Sequence, residues 1–162
     1  MRFKISDKIL TASNRYLLYR RDEYSFDVEP ASVDGYTSIL LNLLSLEISK
    51  SGKLVSVWGL CPYLRWIDKI LTVPKAESCE LIMEELPPLR RGVSLELSPQ
   101  RFFSTYVDTS LGAVQICAGA SPEPESWVTP IPGVIFAIGA GGEFSSLWLQ
   151  PQSGIRNIAS AT

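Results

Sequence analysis

The sequence predicts a mainly β fold (α+β): an antiparallel sandwich or strongly curved sheet built of hairpins, with one short helix near residues 62–71. Three observations predict it. Apolar runs are short and separated by Gly-, Ser- or Pro-bearing turns at hairpin spacing. Val93-Ser94-Leu95-Glu96-Leu97 alternates strictly, as a half-buried strand does. One stretch alone stands out for helical spacing.

Arg15 to Tyr19 is a short aromatic and aliphatic run that suits a strand. Thr37 to Ser49 is a long apolar run ending at Lys50-Ser51-Gly52-Lys53, and Leu54 to Leu60 follows at once, so the two read as the arms of one hairpin. The first arm is also long and Leu-rich enough for a helix; the close turn and Val55 and Val57 favour strand. After Pro62, apolar residues at 63, 66, 67, 70 and 71 follow the i, i+3, i+4 pattern, and proline suits a first helical turn because its missing N–H would be unpaired there. Pro74 limits that helix to a turn or two.

Strand character resumes from Cys79 to Leu86 and breaks at Pro87-Pro88. Phe102 to Val107 and Ala113 to Ala118 flank Asp108-Thr109-Ser110-Leu111-Gly112 as a second hairpin, and Ser121 to Glu125 reads as a polar loop. The last hairpin joins Gly133–Ile138 to Glu143–Leu149 through Gly139-Ala140-Gly141-Gly142. Seven to nine strands result. No segment reads as an interdomain linker and no internal repeat is evident, so residues 1–152 form a single globular domain with a flexible C-terminal tail at 153–162.

Composition narrows function. With 46% hydrophobic and 20% charged residues the chain is an ordinary globular one. A net charge of -2 argues against a nucleic-acid binder, which needs a basic stripe, and suits a basic protein partner. Met1 to Lys8 is charged with no apolar stretch behind it, and no 18 apolar residues run together, so a cytoplasmic, non-membrane protein is expected. Three cysteines (Cys61, Cys79, Cys117) fit reduced thiols. Histidine is absent, which excludes Ser-His-Asp and Cys-His catalysis and histidine-based metal sites. No cofactor or metal is expected, and no catalytic residue.

Several features invite chemistry. The Gly139–Gly142 run is followed by an alternating strand rather than by the helix a phosphate loop opens, so a hairpin turn is expected. Cys61, next to Pro62, has the best claim of the three thiols to reactivity, against the ordinary role of a small buried hydrophobe. Asp68, Glu84, Glu85, Glu96 and Asp108 are the candidates for a carboxylate pair of the kind that hydrolyses glycosides; the default for such acids is a solvated face. Asp22, Glu23, Tyr24, Asp27, Glu29 and Asp34 interleave acids with aromatics, only partly offset by Arg20 and Arg21, and are the expected partner-binding residues: charge steers encounter and aromatics anchor. An edge strand with a solvated loop explains the same residues. Glu77, Glu80, Glu84 and Glu85 form a second acidic stretch. Most of the four tryptophans are expected in the core, and Trp127, beside the Pro-rich loop, is the one to test for exposure.

Leu54-Val55-Ser56-Val57-Trp58-Gly59-Leu60-Cys61-Pro62-Tyr63, continuing to Trp66 and Pro74, together with Glu143-Phe144-Ser145-Ser146-Leu147-Trp148-Leu149-Gln150-Pro151, resembles small bacterial proteins encoded beside polymorphic or contact-dependent growth inhibition toxins. Gly92 to Leu97 and the Asp108–Gly112 hairpin fall where that pattern has strands, so the resemblance spans about residues 54–151. It implies an immunity protein: a binder of the cognate toxin's C-terminal domain, often a nuclease, that blocks access to its active site. It implies no particular interface residue. A small-ligand-binding sandwich or barrel is the alternative, and a carboxylate hydrolase a third.

Overall fold

The structure, a computed structural model, describes residues 1–98, 102–119 and 123–155. Among them are fourteen strands: β1 (Arg2–Ile9), β2 (Tyr16–Arg20), β3 (Ser25–Glu29), β4 (Thr37–Leu41), β5 (Leu44–Ile48), β6 (Leu54–Leu60), β7 (Ile67–Asp68), β8 (Cys79–Glu84), β9 (Leu95–Glu96), β10 (Ser104–Asp108), β11 (Ala113–Cys117), β12 (Ser126–Ile131), β13 (Val134–Ile138) and β14 (Phe144–Leu149). The mainly β expectation holds. The first sheet runs β2-β3-β6-β5-β4-β9, the second β12-β13-β14-β11-β10-β7, and β1 and β8 pair as a separate ribbon.

The inner faces of both sheets and the ribbon share one hydrophobic cluster, with Phe26, Ile39, Leu46, Val57, Phe136 and Leu147 fully buried. Each large aliphatic or aromatic side chain there contributes on the order of 2 kcal/mol of transfer free energy. The alternation that places them inside leaves Ser25, Asp27 and Glu29 of β3 and Ser45 and Trp58 of β5 and β6 on the opposite face.

Four expectations change. The helix near 62–71 is one 3-10 turn, Tyr63–Arg65, after which the chain stays extended to reach the second sheet; Ile67 and Asp68 pair in parallel with Tyr106 and Val107 of β10. The apolar run from Thr37 is a hairpin by itself, folded at Asn42-Leu43, where Asn42 holds φ +55°, a left-handed conformation asparagine tolerates. The start of the stretch expected to be a flexible tail is packed: Ile155 is buried in the core, and just before it the Gln152 N–H donates to Leu17 O at 2.9 Å. Residues 156–162 of that tail, and Ser121 and Pro122 of the polar loop, lie outside the described residues.

The fourth concerns repetition. Reversed, the second sheet reads β10-β11-β14-β13-β12 behind β7, and the first reads β2-β3-β6-β5-β4: the same strands in the same chain order. The chain is therefore two copies of one five-stranded unit. Residues 41–61 align with 131–151 without a gap, matching Ile48 to Ile138, Gly52 to Gly142, Ser56 to Ser146 and Trp58 to Trp148. Both copies shift register at the same place, after Glu47 and after Ala137. The β2–β3 and β10–β11 turns also match, ending in left-handed Tyr24 (φ +55°) and Gly112 (φ +65°). Each ribbon strand caps the other copy's neighbour symmetrically: the Met83 N–H donates to Gly52 O at 2.8 Å and the Phe3 N–H to Gly142 O at 2.7 Å.

Candidate functional site

Beyond Leu60 the chain turns through Cys61-Pro62 and the single 3-10 turn, then crosses between the sheets. This leaves a cleft bounded by the β4–β5 turn, the crossing segment and the start of β10. Its volume is about 560 Å³ counted to the open mouth, and its walls include Leu41, Leu44, Trp66, Ile67 and Ile116. The rim is apolar and solvent-facing: Leu43 is 51%, Leu60 49% and Phe102 72% exposed. Among the described residues, Arg65 is the one charged side chain on its wall. Aromatic rings continue from the cleft towards the β2–β3 turn, with Tyr19 5.2 Å from Trp66, Trp66 6.5 Å from Tyr63 and Tyr63 5.3 Å from Tyr24. Arg21 stands 6.0 Å from the Tyr63 ring centroid. Cys61 closes the floor: the Trp66 Nε1–H donates to its Sγ at 3.4 Å, and burial pushes the thiol up to about 11.

The second copy provides an internal comparison. The equivalent hollow lies between the β12–β13 turn, the end of β14 and the start of β2, and is lined by Asn14, Arg15, Pro132, Gly133, Gln150 and Gln152. Where the first cleft exposes Leu43, Leu60 and Phe102, the equivalent positions hold Gly133, Gln150 and Asn14. The apolar rim is therefore no requirement of the architecture. The outer sheet faces differ likewise. Trp148 is 9% exposed, packed with Leu71, Ile135, Tyr106 and Trp127, while its equivalent Trp58 is 45% exposed. Trp127, the tryptophan to test for exposure, is thus half-buried, and Trp58 is the open one.

The six acidic and aromatic residues singled out from sequence do not form one patch. Asp22 and Glu23 lie exposed in the 3-10 turn Arg21–Glu23, and Tyr24 follows, so these three flank the cleft end of the first sheet. Asp27 and Glu29 project from the outer face of β3, an interior strand rather than an edge, and share Arg20, which holds Asp27 at 2.9 Å and also pairs with Glu29. The Tyr16 hydroxyl donates to Glu29 at 3.3 Å. Asp34 lies beyond the far end of β3, about 13 Å of strand away from the turn, beside Arg15, Lys53 and Glu80. Sequence reading missed Leu43, Leu60 and Phe102, whose signal is an apolar side chain at a turn or strand end.

The other candidates are accounted for by packing. Gly139–Gly142 forms the β13–β14 turn. Glu84 pairs with Lys4 and Glu85 with Arg2 along the ribbon, and Glu80 bridges Lys8 of the ribbon to Lys53 of the β5–β6 turn. Asp68 and Asp108 share a hollow beside Lys69, but the Asp108 carboxylate accepts from Ser110 Oγ and from the N–H groups of Leu71, Ser110 and Leu111, which hold it down to about 2. Glu96 lies on the other sheet. Among the described residues no group of three His, Cys, Asp or Glu converges to hold a metal ion, and no helix is long and apolar enough to cross a membrane. No protein-family model and no curated protein matches the chain.

Proposed function

We propose that this protein is a non-catalytic binding protein of the immunity type, which docks on the C-terminal domain of a cognate bacterial toxin and occludes its active site. The observation that carries the binding part is the exposed apolar rim of Leu43, Leu60 and Phe102, set where the equivalent hollow has Gly133, Gln150 and Asn14. Exposed apolar clusters of this kind mark interaction surfaces, and Tyr24, Tyr63 and Trp66 beside them are of the residue type that anchors interfaces. Asp22 and Glu23 at the same end lie beside Arg21 and Arg65, so the surface there offers both signs of charge to a partner. The toxin as partner follows from the resemblance of residues 54–151.

The test is isothermal titration of the full chain against the toxin domain encoded by the neighbouring gene. Binding is expected, and Leu60→Asp or Phe102→Asp should weaken it at least tenfold; no binding at micromolar concentration overturns the reading. A second reading, a small apolar ligand, is favoured by the cleft's apolar walls, Leu41, Leu44, Trp66, Ile67 and Ile116. Under it, substitution deep in the cleft (Ile116→Ala) would matter and the exposed rim would not.

A further inference from the structure

We infer that the outer face of the first sheet, around Trp58, receives an extended, lysine- or arginine-bearing aliphatic segment of the partner, laid across it as residues 71–76 lie across Trp148. The inference rests on the partner-binding reading and names the partner's recognition element.

The second sheet shows what covers such a face. Trp148, Ile135 and Tyr106 lie on its outer side, opposite one another in register through Gln115, and Leu71, Val73 and Ala76 pack on them. Those three come from the extended segment that crosses from β7 towards β8, which also sets Lys69 4.5 Å from the Tyr106 ring. The first sheet has the same row. Leu18 stands opposite Asp27, and Ser45 opposite Trp58; the β3–β6 pairs Ser25–Leu60 and Phe26–Gly59 set Asp27 beside Trp58. Among the described residues no segment lies over Trp58 as 71–76 lies over Trp148, and Leu60, next on the same face, is also open and continues into the cleft.

The charge at this row states what kind of segment fits. Gln115 and Cys117 of the second sheet correspond to Asp27 and Glu29 of the first. Two carboxylates there share the single guanidinium of Arg20, so the face keeps a net negative charge beside an exposed indole. A basic residue meets the carboxylates and the indole face, which attracts cations; aliphatic residues at alternate positions cover Trp58 and Leu60, since an extended chain turns every second side chain to one side.

The test uses two nine-residue peptides, one alternating lysine with leucine and valine and one with glutamate in place of lysine, titrated into the full chain by fluorescence anisotropy. The lysine peptide is expected to bind at least tenfold more tightly than the glutamate one, and to lose at least tenfold on Trp58→Ser and on the double variant Asp27→Lys, Glu29→Lys. Leu60→Ser serves as the second variant should Trp58→Ser fail to fold. No binding, equal binding of the two peptides, or binding that survives Trp58→Ser overturns the inference. So does concentration-dependent dimerisation that Trp58→Ser abolishes, because a second copy would then own the face. Toxin-domain binding indifferent to Trp58, without peptide binding, overturns this inference and leaves the proposed function; peptide binding without toxin-domain binding does the reverse.

Discussion

Gly52 and Gly142 stand at equivalent turns with the same φ, +82°, and their carbonyls accept from Met83 and Phe3, two residues that are themselves cross-strand partners in the ribbon. A β-carbon at Gly52 would meet Met83 O at 2.4 Å, and one at Gly142 would meet Phe3 O at 2.6 Å. Backbone on both sides leaves neither free to move. Gly52→Ala and Gly142→Ala should each destabilise by at least about 2 kcal/mol, combining left-handed strain with the clash. Gly92 is the control: its φ is +73° but nothing lies within 4 Å of a β-carbon, so Gly92→Ala should cost about 1 kcal/mol. Urea midpoints measure all three, and equal losses would mean that the ribbon contacts add nothing.

How far these features could be read from sequence depends on whether their cause is local. The hairpin turns at 50–53, 108–112 and 139–142 were legible because turn glycines and alternation are local. The supposed helix at 62–71 was not, because its apolar spacing serves two destinations instead of one helical face: Trp66 packs on the main core and Leu71 on the Trp148 cluster, with Ile67 pairing to Tyr106 between them. The repeat escaped notice because the aligned stretch shares little beyond Ile48, Gly52, Ser56 and Trp58, and a turn reading Lys50-Ser51-Gly52-Lys53 hides its likeness to Ala140-Gly141-Gly142-Glu143. At the site, the acids of 22–34 and their partial offset by Arg20 were visible, but not that one guanidinium serves Asp27 and Glu29 together on the outer face of β3. The exposure of Leu43, Leu60 and Phe102 depends on which face each strand buries, and long-range pairing decides that.

Trp58 and Trp148 give the same substitution two different outcomes. Trp148→Ser removes a buried indole and the partner of Ser146 Oγ, which accepts from Nε1 at 3.1 Å. The expected loss is about 3–5 kcal/mol. Trp58→Ser, at a half-exposed site, should cost about 1 kcal/mol or less. Thermal midpoints several degrees apart would bear this out; a comparable loss at Trp58 would make it a packing residue and weaken its reading as a docking residue.

Asp108 should shape the acid limb of the stability curve. The hydrogen bond from Ser110 and those from the backbone of Leu71 and Leu111 hold its carboxyl down to about 2, against 3.8 for the ordinary group. The folded state then binds fewer protons than the unfolded one between those values, so this contribution is complete above pH 3.8 and disappears as pH falls towards 2. Asp108→Asn should lower stability at neutral pH, with the difference from the wild type narrowing from pH 4 downwards. A constant difference across that range in urea titrations would mean that the charge is not what the loop recognises.

Cys61 should be inert when folded and should weaken the protein in alkali. Burial among Leu44, Leu60 and Trp66 holds the thiol up to about 11, with the Trp66 N–H opposing the shift. At pH 8 almost none of it is thiolate, the reactive form, so iodoacetamide should modify Cys61 at the rate of global unfolding and no faster. The sign follows from the same shift. The unfolded thiol ionises near 9 and the folded one near 11, so its stabilising contribution is full below 9, falls across that window and reaches on the order of 2 kcal/mol of lost stability above it. Cys61→Ser, whose hydroxyl does not ionise there, should flatten that part of the curve. Rapid alkylation of Cys61 in the native protein would mean that the cleft floor opens to solvent, and would move the weight of evidence towards the small-ligand reading.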